Sequence, residues 1–493
     1  MGRVGSLLGD PPPPSDPDAM PASVPLGLFG VGLDTYWDQF DGLRPRLDGY
    51  QGQIAERLWG SGAEVVDAGL VDSVEAAHAA AATLRQADPA VVFLYVSTYA
   101  LSSTVLPVVQ RVGAPVVVLN LQPTAAIDYG WFNGLRDRHA MTGEWLATCQ
   151  ACAVPEIASV LTRAGVPFHQ VTGVLDGDHA WAEIDAWVDA ARAARVLRDT
   201  RLGLLGHYYT GMLDLYTDPT MQSTAFGTEI AYLEMDRLDA LRPLVTDDQV
   251  DAKLAEVMDA FDVADDCPES ELRRAARTAV ALDRLADDEG LGALAYYYEG
   301  APGGPLEDLI GSVIVGTSML TARGIPVSGE HDVKNAQAMK VLDAFGAGGS
   351  FTEFYGLDFD DDVVLMGHDG PGHIRIAEGK PRLKPLVVYH GKPGHGLSVE
   401  MSVKHGPATA LAVVQTADGR LKLVVAQGEA VPGPILEIGN TNSRYRFSIG
   451  VKAFMDRWCA EGPHHHCAIG VGHLGDRVAK LGALLGLEVV QIC

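Results

Sequence analysis

Glu330, Glu353 and His368 fall close together, each at the end of a short regular element in residues 327–373. Two carboxylates and an imidazole so placed are the residue types that hold a divalent metal or move protons. Glu330 follows a Ser-Gly turn, and Asp332 can cap a helix whose apolar positions Val333, Ala336, Val341, Leu342 and Phe345 recur at helical spacing. After an Ala-Gly-Gly-Ser segment, residues 351–357 alternate like a strand, so Phe351, Glu353 and Tyr355 share one face; residues 363–366 read as a second strand ending at His368. A carboxylate among aromatics on a buried face needs a partner. A cation shared with Glu330 and His368 would provide one, and oxygen ligands with imidazole suit manganese or another divalent first-row ion better than calcium. The competing reading of the same residues is a carboxylate held by Arg or Lys in an ordinary core.

The elements that must position these residues are legible over most of the chain. Residues 26–31, 64–67, 91–95 and 115–119 are apolar strand-length runs separated by Ala-rich helical segments. The same alternation resumes with 168–171, a helix over 178–197 and a strand at 201–206. It predicts parallel sheets covered by helices, with functional loops at the carboxyl ends of the strands. Residues 250–289 read as charged helix, 294–299 as strand and 306–321 as helix. Beyond His373 the runs 385–390, 396–405, 408–416, 420–427, 435–439 and 445–448, punctuated by Gly and Pro, predict a small barrel or sandwich, and 476–492 a final helix and strand. The expected organisation is a disordered Pro-rich leader over 1–24, an N-terminal α/β domain over 25–172, a central α/β domain over 173–326 and a C-terminal β domain over 327–493.

Composition removes some functions. A formal charge of −27, with 37 Lys and Arg against 64 Asp and Glu in 493 residues, argues against nucleic acid. No apolar run has the length of a membrane span and the leader lacks the apolar core of a signal peptide, so the expected setting is the cytoplasm. The six cysteines are too scattered for a disulfide framework, and Cys149 and Cys152, which have the spacing of a redox motif, read as small core residues of a helix ending near Arg163, after a loop over 128–145. Gly30-Val31-Gly32 begins like a dinucleotide fingerprint, but Thr35 replaces its third glycine. The acidic run 358–362 lacks the Gly and bidentate Glu of an EF-hand and reads as a turn. His464, His465 and His466 add candidate ligands, although such a run at a helix end is often a solvated feature. His207, Tyr208, Tyr209 and Met212 follow a strand and could line a cleft or simply pack.

Taken in order, Ser-Gly-Glu330, Ser-Phe-x-Glu353, Gly-His368 and the distant His-His466 resemble the L-arabinose isomerase and L-fucose isomerase superfamily, the arabinose branch in particular. Glu353 marks that branch, since the fucose branch has Asp there. The resemblance implies two Rossmann-like parallel-sheet domains followed by a C-terminal β-barrel domain. It implies one catalytic manganese, or another divalent metal, held by Glu330, Glu353, His368 and His466, with His465 the alternative within the run. It also implies a cytoplasmic homo-oligomer, commonly a hexamer, with a sugar as its small-molecule partner and neither nucleic acid nor membrane. The implied activity is aldose–ketose isomerisation of a pentose or a (deoxy)hexose at C1–C2, by an enediolate or a hydride shift, with Glu330 and Glu353 as acid and base and Asp34, Tyr36 and His207 as sugar contacts. Leu33 stands where arabinose isomerases carry a sugar-contacting Gln, and the sequence ends at Cys493 without their longer tail; both departures bear on the substrate. The competing functions are a non-catalytic sugar-binding or regulatory protein on the same scaffold, and an epimerase with the same metal site.

Overall fold

Apolar runs buried on both faces set the architecture. The computed structural model describes residues 23–299, 303–304, 306–386 and 395–493; the leader as far as residue 22, and residues 387–390 of the expected strand 385–390, lie outside them. The chain forms two compact units, one running up to Arg198 and joined by Asp476–Glu488, the other comprising Asp199–Gly475 and Val489–Cys493.

The first unit holds a parallel sheet in the order Glu64–Val71, Pro25–Val31, Val91–Val96, Val116–Gln122 and Phe168–Val174. Val91–Val96 is buried at every position, as a central strand covered on both faces must be. Side-chain alternation divides the unit into two cores. Leu28, Phe93 and Leu119 pack with Ile54 and Leu58 of the helix Leu43–Gly60 and with Trp181 and Ile184 of Asp178–Arg198. Phe29, Leu94 and Val118 pack with Leu84 of Val74–Ala87, Val105 of Ser102–Val112 and Ile157 of Gln150–Arg163. Each such burial contributes about 1.5–3 kcal/mol. The helix Asp178–Arg198, expected in a central domain, is therefore fixed to this sheet by its tryptophans. The terminal helix Gly475–Leu485 likewise gives Ala483 and Leu484 to this core.

Two expectations for this unit change. Residues 128–145 are not a loop: Asp128 and Asp137 cap the short helices Tyr129–Gly134 and Arg138–Leu146 by accepting backbone N–H bonds in their first turns. Cys149 and Cys152 are not two core thiols. Cys149 is buried and Cys152 exposed, and the pair forms a disulfide at the start of Gln150–Arg163.

The second unit begins with a parallel sheet in the order Val327–Ser328, Ala293–Tyr297, Arg201–Gly206 and Glu229–Leu233. Beyond it the chain closes a six-stranded antiparallel barrel in the order Gly406–Gln415, His466–Val471, Gly348–Asp358, Val363–His368, Thr441–Phe447 and Leu421–Val431, whose first and last strands pair. Met366, Ala410, Val424 and Tyr445 share its core with Phe454 and Trp458 of the helix Val451–Ala460. The expected fold class, parallel-sheet α/β followed by a β-barrel, is thus observed. The expected short strand at 435–439 is a loop; Leu436 and Ile438 are exposed there, and the Asn442 side chain bonds both backbone groups of Leu436 in place of a ladder.

The helix Val333–Ala344 is buried from Val333 through Leu342 and connects sheet to barrel. Val333 and Ala336 pack on Leu204 and Ala295 of the sheet. At its other end Gly349, at φ 114°, comes so close that a Cβ would lie 2.5 Å from the Met339 carbonyl oxygen. Glu330 sits just before this helix and Glu353 just after that contact.

Candidate metal centre and cavity

Glu330 owes its position to a strained turn. Glu330 and the buried His331 both adopt left-handed backbone angles, φ 56° and 60°, which cost on the order of 1–3 kcal/mol each in residues with a Cβ. The turn is held by His331 N–H donating to Tyr296 O at 2.9 Å and Asp332 N–H to Gly329 O at 3.0 Å. Asp332, fully buried, caps the following helix through Oδ1, which accepts from Asn335 N–H at 3.0 Å. Barrel register supplies the remaining groups. Glu353 lies opposite His466 on one neighbouring strand and Gly367 on the other, and His368 ends the latter. Phe351 packs between the imidazoles of His368 and His466, with ring centroids 4.0 and 4.5 Å away.

Ligand atoms of Glu330, His368 and His466 lie within 4.8 Å of one another, as do those of Glu353, His465 and His466. Glu330 Oε2 and His466 Nε2 face each other at 3.5 Å, both buried and without a hydrogen-bond partner. Asp332 Oδ2 lies 2.9 Å from His466 Nδ1 and so orients the ring with Nε2 toward Glu330. This carboxylate–histidine arrangement is the one that sets metal-binding imidazoles. Two orphaned atoms aimed at one point, in a set of carboxylates and imidazoles, fit a first-row divalent cation. His368 Nδ1 is 2.8 Å from Gly370 N and 3.2 Å from Asp369 Oδ1, so it is met whether or not it carries a proton. Among the described residues the ion pairs of Glu330 are with His465 and His466, not with Lys or Arg. His464 and His466 are buried, so the histidine run is not a solvated helix end; His466 opens a strand.

The charges separate the two glutamates. Burial raises the Glu353 pKa above the usual carboxylate value, outweighing His368 and His465. Burial acts the same way on Glu330, but His465, His466 and His368 prevail and hold it below the usual carboxylate range. Burial opposes a charge on His465, yet Glu330 and Asp214 raise it to about 9. Burial, with His368 and His465 beside it, keeps His466 far below the usual imidazole value and therefore neutral, the form that ligates. Burial also brings His464, 3.2 Å from Asp332 Oδ2, down to about 4.

These groups open onto a cavity of about 330 Å³. Glu330, Glu353, His368, Asp369 and His465 form its polar side, and Tyr209, Met212, Tyr296, Tyr297, Tyr298, Ile310 and Ile314 its other wall. Tyr209 and Met212, read from the sequence as cleft residues, are there. His207 is one layer behind, exposed, with its ring 5.5 Å from Tyr297 and 6.0 Å from Tyr298. Asp34 and Tyr36 belong to the first unit, where exposed Asp34 opens a one-turn helix and Tyr36 packs edge-on against Phe40. Sequence reasoning missed Asp332 as the holder of His466, Asp369, Ile310, Ile314 and the run Tyr296–Tyr298. The signal for the tyrosines was their place at the carboxyl end of a parallel strand.

Parallel sheets leading into a closed barrel, with paired glutamates and histidines where the two meet in one unit, define an α/β scaffold with a candidate divalent-metal centre. Residues 348–488 match the family model of the L-arabinose isomerase C-terminal domain. Curated relatives include the L-arabinose isomerases of Nocardioides sp. (strain ATCC BAA-499 / JS614), 27% identical over 68% of either chain, and of Mycolicibacterium smegmatis, 26% identical over 68% of either chain. That of Shewanella sp. (strain MR-4) is 24% identical over 68% of this chain and 69% of its own. The matched domain and these relatives support an arabinose isomerase-like family for the chain.

Proposed function

We propose that the protein is a metal-dependent aldose–ketose isomerase acting at C1–C2 of a pentose or a (deoxy)hexose. The observation that carries this reading is the convergence of Glu330 and Glu353 with histidines on one cavity, with Glu330 Oε2 and His466 Nε2 aimed at each other unpartnered. The relatives' name, L-arabinose isomerase, supports the reaction class. Glu330, Glu353, His368 and His466 would hold the cation, manganese being the best match to the donor set. When bound, such a cation supplies Lewis-acid polarisation of the sugar's carbonyl and neighbouring hydroxyl oxygens.

The chain's own groups then have defined work. One carboxylate takes the C2 proton and returns it at C1, and the other moves a proton from O2 to O1, so that the aldose and ketose differ only in where two hydrogens sit. Glu330 and Glu353 are the candidates for these two roles. Asp332 keeps His466 in one tautomer, and the tyrosines offer the sugar an aromatic wall. Leu33 in place of Gln supports a substrate other than, or broader than, L-arabinose, because a lost amide leaves a sugar hydroxyl without its partner.

A cytoplasmic homo-oligomer acting on a small sugar, without nucleic acid or membrane, completes the proposal. Support comes from the acidic charge and the resemblance, and no helix among the described residues is long and apolar enough to cross a membrane. The test is to incubate manganese-loaded protein with aldoses in D₂O and analyse the ketose. Deuterium at C1 supports proton transfer through an enediolate, and ketose without deuterium a hydride shift; binding with no interconversion or epimerisation of any sugar transfers the protein to the sugar-binding class.

A further inference from the structure

Residues 207–218, between the strand Arg201–Gly206 and the helix Pro219–Phe226, bring Tyr209 and Met212 to the cavity wall. Asp214 lies on the same segment but not in the lining. Its Oδ2 accepts the backbone N–H of His465 at 3.0 Å and stands 2.6 Å from Nδ1 of the same ring. The backbone carbonyl of Asp214 accepts the ammonium of Lys334, a buried side chain in the first turn after Asp332. One residue thus ties the wall segment both to the histidine run, far away in sequence, and to the helix that follows Glu330.

The bond to Nδ1 fixes which edge of the imidazole faces the cavity. With Nδ1–H directed at Asp214, Nε2 is left on the opposite edge, 3.5 Å from Glu330 Oε2. His465 is partly exposed and its ring lies tilted by 44° against that of His466, with centroids 3.9 Å apart, so removing the carboxylate takes away the bond that sets its direction. Among the contacts above, Asp214 reaches none of Glu330, Glu353, His368 or His466. Its hydrogen bonds run to His465 and, through its backbone carbonyl, to Lys334.

We propose that Asp214 is a positioning residue for the sugar: it sets the direction of the His465 ring, so that the Nε2 edge meets the substrate beside Glu330, and it pins the segment carrying Tyr209 and Met212. This rests on the sugar-isomerase reading and adds to it a residue that acts on sugar binding without holding metal. Hydrogen bonds to charged groups of this kind correspond to about 10–100-fold in affinity.

The test uses the full-length, manganese-loaded protein and the variants D214N, D214E, D214A, H465A and D214A/H465A. Manganese is titrated into each metal-free form, a substrate-analogue alditol into each loaded form, and KM and kcat are separated where turnover is found. The expected result is a 10–100-fold loss of alditol affinity and a matching rise in KM for D214A, partial recovery in D214E, and manganese affinity within about threefold of the parent. The double variant should fall little below H465A, because both changes break the ring contact and only the backbone N–H bond from residue 465 to Asp214 survives in H465A. Multiplying effects in the double variant, an equal loss of manganese affinity, or alditol affinity and KM like the parent's in D214A and D214N would overturn the proposal. A parent that binds alditol but isomerises no sugar would defeat the isomerase reading alone, and the titrations would still decide the role of Asp214.

Discussion

Replacing Asp332 by Asn removes a single charge at a site where the two carboxylate oxygens have different tasks. Oδ1 caps the helix Val333–Ala344 and Oδ2 holds His466 Nδ1 at 2.9 Å. Asn retains Oδ1, so the cap, worth about 1 kcal/mol, survives. Its NH₂ takes the place of Oδ2 and turns a donor toward His466, whose Nδ1 must then become the acceptor and whose Nε2 must carry the proton. A protonated Nε2 cannot ligate. Loss of such an outer-shell partner typically costs 10–100-fold in metal affinity, about 1.4–2.7 kcal/mol. Calorimetric titration of manganese into metal-free parent and D332N should therefore show that loss, while the melting temperatures of the metal-free forms stay close. Manganese binding in D332N within about threefold of the parent would refute the assignment of His466 Nε2 as a ligand oriented by Asp332.

Three further outcomes follow from the same geometry. E353Q, loaded with metal, should keep its fold and much of its sugar affinity while turnover falls by about 10²–10⁴-fold, checked by initial rates at measured metal content; metal and activity like the parent's would mean that Glu353 is misassigned. Across pentoses, 6-deoxyhexoses and hexoses, kcat/KM should be highest for a sugar other than L-arabinose, or nearly level over several, and a clear preference for L-arabinose would sink the argument from Leu33. The raised pKa of His465, about 9 when folded against roughly 6.5 unfolded, stabilises the metal-free protein fully below about pH 6.5 and is lost as pH rises through 9. Melting curves of the metal-free parent should thus fall over that window more steeply than those of H465Q, and parallel curves would contradict the ion pair.

Much of this was legible because the signals are local. The parallel strands announce themselves as apolar runs such as Val91–Val96, and Asp332 as a cap in the position a cap requires. Glu330, Glu353 and His368 were found from the ends of predicted elements, and His466 from its order in the family pattern. What the sequence does not carry is register and long-range partnership. That Glu353 stands opposite His466, and that Asp214 reaches His465, depends on barrel closure and on a segment from the parallel sheet. The helix Asp178–Arg198 is expected in the central domain, yet packs on the first unit's sheet, because its amphipathic pattern says which face is buried and not against what. The helices around residues 128–146 were hidden because Gly, Asn and Asp read as loop until Asp128 and Asp137 are seen to cap.

The central claim is that the Glu330, Glu353, His368 and His466 cluster holds one divalent metal and that the metal-loaded site isomerises a sugar. The direct measurement is to strip the protein with chelator, restore manganese in steps, and record bound metal and ketose formation from the best aldose on the same samples. The account predicts that activity is lost on stripping and returns in proportion to metal, saturating at one ion per chain. Full activity in chelator-stripped protein, or saturation with metal and no interconversion of any sugar, would contradict it.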